Sequence, residues 1–234
     1  IRDHNEDAVT AAGLVIADIS MAEPVTCSLT LSRGALVAVA DGLGGHAGGE
    51  VAAGHTVRTL AREGAATAGP GELAELIKEI NAELTGIAAE HPALTGMGTT
   101  LAGLLFTPDA TTWFNVGDSR VYRLDDRFLG QLSVDDSPQR GEPGAPPPPT
   151  HIVTQVIGGS GAEIDVHTGE DTRTGCWLVC TDGLTDLVPV DAMEEALNSA
   201  ADDGQAVKRL WALAMNASGR DNITIVLARR GGGL

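Results

Sequence analysis

Ala35-Leu36-Val37-Ala38-Val39-Ala40-Asp41-Gly42-Leu43-Gly44-Gly45-His46-Ala47-Gly48-Gly49-Glu50 is the stretch on which the reading of this chain turns. Six apolar residues end in an aspartate, five glycines follow within eight residues, and a helical pattern then begins. An apolar run of this length reads as a strand buried on both faces. The acid beyond it is expected at the rim of a sheet, where ligands commonly bind. The glycines permit a sharp turn and a close approach of backbone to a small ion or phosphate. Asp-Gly is also an ordinary turn pair, so alone the stretch reads as well as strand, turn and helix without chemistry. The same device returns at Cys176-Trp177-Leu178-Val179-Cys180-Thr181-Asp182-Gly183.

Outward from that stretch, periodicity supplies the other elements. Ala53, Val57, Leu60 and Ala61 fall on one helical face, and Leu73, Leu76, Ile77, Ile80, Leu84 and Ile87 on another. Pro70-Gly71 and His91-Pro92 bracket the second helix. Two further helices are marked by Met193, Ala196, Leu197 and Ala200, and by Val207, Leu210, Trp211, Ala214 and Met215. Strands are expected from Gly98 to Phe106, Thr111 to Val116, Glu163 to His167 and Ile223 to Leu227, with a weaker one from Gly13 to Ile19. Val121 to Leu124 and Phe128 to Leu132 read as a hairpin. Consecutive strands this close are expected to pair antiparallel. The segment around Gly141-Glu142-Pro143-Gly144-Ala145-Pro146-Pro147-Pro148-Pro149 suits neither helix nor sheet and reads as a mobile surface loop.

Composition narrows the function. With 234 residues, 43% of them hydrophobic, the chain can bury one sizeable core. No run of eighteen apolar residues predicts a membrane span. Lys and Arg total 15 against 32 Asp and Glu, a net charge of -17, which argues against nucleic acid and anionic membranes as partners. The acidic excess fits a protein that holds divalent cations. Cys27, Cys176 and Cys180 form neither a metal spacing nor an even disulfide set. Cys176 and Cys180 read as small core residues, and a reducing cytoplasm is the expected compartment.

Carboxylates recur at one kind of place. Asp41, Asp118 and Asp182 follow apolar strands, Asp221 precedes one, and Glu6 and Asp7 precede another. Such acids are costly unless paired or metal-bound, and lysine is scarce around them. An all-oxygen donor set favours Mg²⁺ or Mn²⁺ over Zn²⁺. Two such ions can lower the pKa of a shared water and clamp a phosphoryl group for in-line attack.

Six segments carry a resemblance. Arg2 with Asn5-Glu6-Asp7-Ala8, Asp41-Gly42-Leu43-Gly44-Gly45-His46, Gly98-Thr99-Thr100, Asn115-Val116-Gly117-Asp118-Ser119-Arg120, Thr181-Asp182-Gly183-Leu184 and Gly219-Arg220-Asp221-Asn222 resemble, in order, the bacterial metal-dependent protein phosphatases (PPM family, type 2C). The resemblance implies an α+β fold, a four-layer α-β-β-α sandwich of two antiparallel sheets flanked by helix pairs. It implies one catalytic domain over residues 1–234, with a flap-like loop near residues 135–160. It implies two or three Mn²⁺ or Mg²⁺ and hydrolysis of phosphoserine or phosphothreonine by direct attack of a metal-bridging hydroxide. Carried over by motif, Asp41 bridges two metals and the Gly42 carbonyl ligates one. Asp182 and Asp221 ligate the first metal, Asp7 lies in the same cluster, and Glu6 holds waters of the second. Asp118 matches the acid that helps bind a third metal. Arg2 grips the phosphate oxygens, to which its planar fork is suited. The implied partners are phosphorylated proteins, substrates of bacterial Ser/Thr kinases, and the implied state is a monomer.

The chain also departs from the family pattern. Leu43 stands where some members carry a histidine general acid. His46 reads as structural and His4 as a surface residue, leaving a metal-bound water as proton donor. Asp135-Asp136-Ser137 replaces the usual Asp-His-Ser, and Gln155 replaces the usual arginine near the end of the flap. Asp135 and Asp136 read as a solvated face, with extra metal ligation as the alternative. Three other functions compete: a phosphatase dedicated to one regulator, such as an anti-sigma antagonist; a catalytically silent metal-binding module; and a divalent-cation buffer.

Overall fold

The structure, a computed structural model, describes residues 4–19, 34–43, 47–138, 152–159 and 161–231. Arg2, Cys27, His46 and the proline-rich part of the expected flap lie outside the described residues.

Twelve described strands form two sheets. The larger runs in the order β10 (His167–Asp171), β6 (Thr111–Val116), β5 (Leu101–Phe106), β3 (Ala35–Leu43), β1 (Asp7–Ala11) and β2 (Leu14–Ile16). Two short strands, β4 (Gly98–Thr99) and β9 (Ile157–Gly158), extend it beside β3. The smaller sheet runs β12 (Ile225–Arg230), β11 (Gly175–Cys180), β7 (Arg120–Asp125) and β8 (Phe128–Gln131). Every pairing is antiparallel.

Alternation along the strands builds the layers. Leu36 and Ala38 of β3 face helices α1 (Ala47–Glu63) and α2 (Pro70–Glu90), in a core with Leu60, Leu73, Ile77 and Ile80. Val37 and Val39 face the other sheet, packing with Val121, Trp177 and Val179. On the far side, Leu178 and Cys180 join Met193 and Leu197 of α4 (Val190–Ser199) and Leu210 and Ala214 of α5 (Asp203–Ala217). The result is the expected sequence of layers, helix pair, sheet, sheet, helix pair.

Several expectations shift in detail. β3 continues through Asp41 to Leu43, so Asp41 lies within the strand rather than beyond it. The strand expected over Gly98 to Phe106 is split at Thr100 into β4 and β5. β6 and β7 are consecutive but do not pair, because the turn between them crosses from one sheet to the other. The strand expected from Glu163 begins only at His167, where pairing with Asn115 starts. Its polar sequence, His-Thr-Gly-Glu-Asp, carries no alternating signal. The last strand begins at Ile225, two residues later than read, and Met215 is exposed while Ala206 is buried in its place on α5.

Candidate active site

Strand parity brings the acids together. Asp7, Val9 and Ala11 share one face of β1, with Val9 and Ala11 packed in the layer between the sheets. Asp41 continues the face of Val37 and Val39, and it lies opposite Asp7 in the β1–β3 register. Thr181 follows Val179 with the same parity, and Thr224 precedes Val226 and Ala228. The larger sheet therefore presents two aspartates at the end of the inter-sheet layer, and the smaller sheet presents two threonines.

These groups meet. Thr181 Oγ1 and Thr224 Oγ1 both donate to Asp7 Oδ2, at 2.9 and 2.7 Å, and the Thr224 amide donates to Thr181 Oγ1 at 3.1 Å. Asp41 and Asp182 are within reach of a carboxyl–carboxyl hydrogen bond. Burial is the chief cause that raises the Asp41 carboxyl well above its ordinary range, followed by the charges of Asp7 and Asp182, with Asp221 adding to them. Asp7 is pushed up to about 7, mainly by burial, against the two threonine hydrogen bonds, with Asp182 and Asp221 contributing. Asp118 also reaches about 7 through burial and the charge of Asp182. The charges that raise these three groups are those of other aspartates.

The glycines serve packing. A Cβ on Gly42 would run into the Gly49 carbonyl, and would lie 2.8 Å from the Glu6 carbonyl oxygen. A Cβ on Gly49 would lie 3.0 Å from the Gly42 carbonyl oxygen and 3.1 Å from the Glu6 carboxyl carbon. A Cβ on Gly183 would collide with the Asn222 carbonyl. Both Asp-Gly pairs thus use glycine to admit backbone from elsewhere in the chain.

Two observations bear on a cation. Asp7 Oδ1 is buried without a hydrogen-bond partner, a costly state for a carboxylate oxygen unless something positive faces it. The Gly42 carbonyl and the Glu6 carboxyl line one cradle that a side chain at position 49 would fill. All these donors are oxygens, as hard divalent ions require. Among the described residues, no three acidic, histidine or cysteine side chains close a ready-made shell.

A family model described as protein phosphatase 2C matches residues 26–221. The chain belongs to the protein phosphatase 2C family. The serine/threonine protein phosphatase PstP of Mycobacterium tuberculosis is 34% identical over 205 residues, covering 82% of this chain but 40% of the relative. The chain thus spans well under half the length of that relative. The serine/threonine phosphatase stp of Listeria monocytogenes is 34% identical over 212 residues, covering 83% of this chain and 84% of the relative. Among solved structures, the catalytic domain of PstP in complex with two manganese ions superposes with a TM-score of 0.76 at 30% identity. That match covers 98% of this chain and 93% of the other.

Within the 2C fold of this chain, the charges of Asp182 and Asp221 act on both Asp7 and Asp41, Asp7 acts on Asp41, and Asp118 joins them through Asp182. Glu6 is buried, and Gly42 abuts it. His4 is exposed, with Nδ1 3.8 Å from Glu50 Oε1, in keeping with a surface role. Asp135 and Asp136 are not a solvated face, and both are held by other partners. Asp135 takes a forked bond from Arg120, at 3.0 Å from Nε and 2.7 Å from Nη2, and another from Gln131. Asp136 accepts from Gly117, Gln155 and His167.

Sequence reading named the acids and missed the groups that aim them. Thr100 N and Thr99 Oγ1 both donate to the Asp41 carbonyl at 2.9 Å, while Asp41 N donates to Thr100 Oγ1 at 3.2 Å. Thr100 Oγ1 and Ser119 Oγ are 2.7 Å apart, which ties the loop of Asp118 to the peptide of Asp41. Asn222 accepts from Glu6 N at 3.0 Å and donates to the His4 carbonyl at 3.2 Å, clamping the N-terminal strap against the last strand. The available signal was parity: a hydroxyl residue continuing an inward-facing apolar series past the strand end.

Proposed function

We propose that this chain is a metal-dependent protein serine/threonine phosphatase, with the whole of residues 1–234 as its catalytic domain. The carrying observation is that four distant aspartates gather in one cluster, in which the charges of Asp182 and Asp221 act on both Asp7 and Asp41, and Asp41 and Asp182 approach within hydrogen-bonding reach. Asp41, Asp182 and Asp221 would hold the first Mn²⁺ or Mg²⁺, with Asp7 in the same cluster. Asp41, the Gly42 carbonyl and waters on Glu6 would hold the second, and Asp118 a third. Bound there, paired cations supply a nucleophilic water at neutral pH and a clamp for phosphoryl oxygens.

The chain's own residues do the rest. Thr181 and Thr224 hold Asp7 through one oxygen and leave its other oxygen buried without a hydrogen-bond partner. Thr99 and Thr100 hold the Asp41 peptide, and Asn222 holds Glu6. Arg2, outside the described residues, would bind the phosphate and stabilise charge on its equatorial oxygens. The substrates would be phosphorylated proteins, the compartment the cytoplasm and the state a monomer. A dedicated phosphatase of a single regulator would share this chemistry and differ in the range of proteins it accepts. Among the described residues, no helix is long and apolar enough to cross a membrane.

The test is phosphate release from p-nitrophenyl phosphate and from a phosphothreonine peptide with Mn²⁺. Asp182→Ala and Asp41→Ala should each lose more than about 100-fold, beyond what loss of an outer partner costs. Absence of Mn²⁺-dependent turnover in the unaltered chain would overturn the proposal. Turnover confined to one phosphoprotein would identify the dedicated enzyme.

A further inference from the structure

Two of the departures from the family pattern, Asp136 and Gln155, meet in space. Gln155 Nε2 donates to Asp136 Oδ2 at 2.9 Å. The same carboxylate oxygen accepts from Gly117 N at 2.8 Å, and the other oxygen lies 2.9 Å from His167 Nε2. Asp136 N also donates to the Gly117 carbonyl at 2.9 Å, and its own carbonyl accepts from Thr154 N at 2.8 Å. Gln155 is fixed in turn by a reciprocal pair with the Asp165 backbone, both bonds 2.7 Å. The Asp136 side chain is only 13% exposed.

Gly117 is the residue this network grips, and it immediately precedes Asp118. Its φ is 95°, a left-handed conformation in which glycine costs little and other residues are strained. The same freedom leaves its geometry undetermined by local sterics. The carboxylate of Asp136 holds the peptide before Gly117, and the amide of Asp136 holds the peptide after it. Fixing both planes fixes φ and ψ between them. On the other side of Asp118, Ser119 is held by Thr100. Asp118 thus sits on a two-post mount.

We propose that Asp136 is a positioning residue for the acid site: it sets the backbone at Gly117, and through it the direction of Asp118. It also links that direction to the Thr154–Gln155 segment and to His167. The assignment rests on the reading of Asp118 as an acid of the metal site. Movement at residues 154–155 would then be felt at Asp118 through a single residue.

The test reads anchoring and metal use separately. In metal-free protein, hydrogen exchange at the Gly117 amide should speed up about tenfold in Asp136→Ala and stay within about threefold in Asp136→Asn, whose amide oxygen still accepts. With Mn²⁺, Asp136→Ala should raise the metal concentration for half-maximal turnover of p-nitrophenyl phosphate about tenfold. Its KM should hold within about twofold, and Asp136→Asn should restore the metal response. A folded Asp136→Ala with unaltered Gly117 exchange and unaltered metal response would overturn the proposal. If that variant does not fold, Gln155→Ala combined with His167→Ala removes two of the three donors and should speed Gly117 exchange about threefold; no change would count equally against it. Exchange needs neither metal nor turnover, so an inactive parent chain would sink the phosphatase reading without deciding the anchoring.

Discussion

The Asp41-Gly42 and Asp182-Gly183 corners have the same sequence design and different structures. At the first, β3 runs straight through the pair to Leu43, and Asp41 stays in register with Asp7. At the second, β11 stops at Cys180, Thr181 adopts an extended conformation, and Asp182 opens the short helix α3 (Asp182–Thr185). What the corners share is the purpose of the glycine. Each leaves space for carbonyls from elsewhere in the chain, Gly49 and Glu6 at one and Asn222 at the other. The dipeptide encodes a close approach of backbones more than a type of turn.

The largest expected effect follows from that shared purpose. Gly183→Ala drives a methyl onto the Asn222 carbonyl, and Asn222 also clamps Glu6. It should cost about 3 kcal/mol, the upper part of the overpacking range, read from urea unfolding of the metal-free chain. Gly42→Ala should cost about 2 kcal/mol, since its neighbour Gly49 lies in the first turns of α1, which can give way. If either substitution is silent, the two corners are not equivalent and the glycine argument fails.

A second effect uses the charges gathered at the first corner. Asp7 and Asp118 titrate at about 7 in the folded metal-free chain, against 3.8 ordinarily, chiefly through burial. Between these values the folded chain holds protons that the unfolded chain has released, so stability falls as pH rises through the window and levels off above about 7. Thermal unfolding in EDTA should therefore give a lower midpoint at pH 8 than at pH 5. Mn²⁺ should recover the loss at pH 8, because a ligand that binds only the folded state stabilises it. A flat profile would mean that the carboxyls are not buried together.

The smallest effects separate the hydroxyls. Thr181→Val removes a donor to Asp7 and an acceptor for Thr224 N, and should cost about 1.5 kcal/mol. Thr100→Val at the other corner removes the bond to Ser119 and the acceptor for Asp41 N, and should cost about 1 kcal/mol. Both are read by denaturant unfolding, and a stabilised variant would show that these hydroxyls do not support the acids.

Much of this was legible before any coordinates. The apolar runs at Leu36 to Ala40 and Trp177 to Cys180 declared buried strands, and the aspartates that end them are the groups the fold gathers. The helical faces of Leu73 to Leu84 were plain because each contributes a full apolar stripe. The pairing of Asp136 with Gln155 was not legible, since it depends on two loops meeting rather than on any periodic pattern. β10 was misplaced for a related reason: its residues are polar, and its strand character comes from lying beside β6. Thr224 was assigned to the last strand, whereas it stands just outside it and holds Asp7.

The bond from Glu6 N to Asn222 Oδ1 spans 216 positions of the chain. Two segments far apart in the chain therefore close the pocket jointly. A ribosome must deliver the whole stretch from Asp7 to Thr224 before the two can meet. A product stopped short of Thr224 would hold Asp7 without that partner hydroxyl, so the proposed site is completed only once the whole stretch between them has been made.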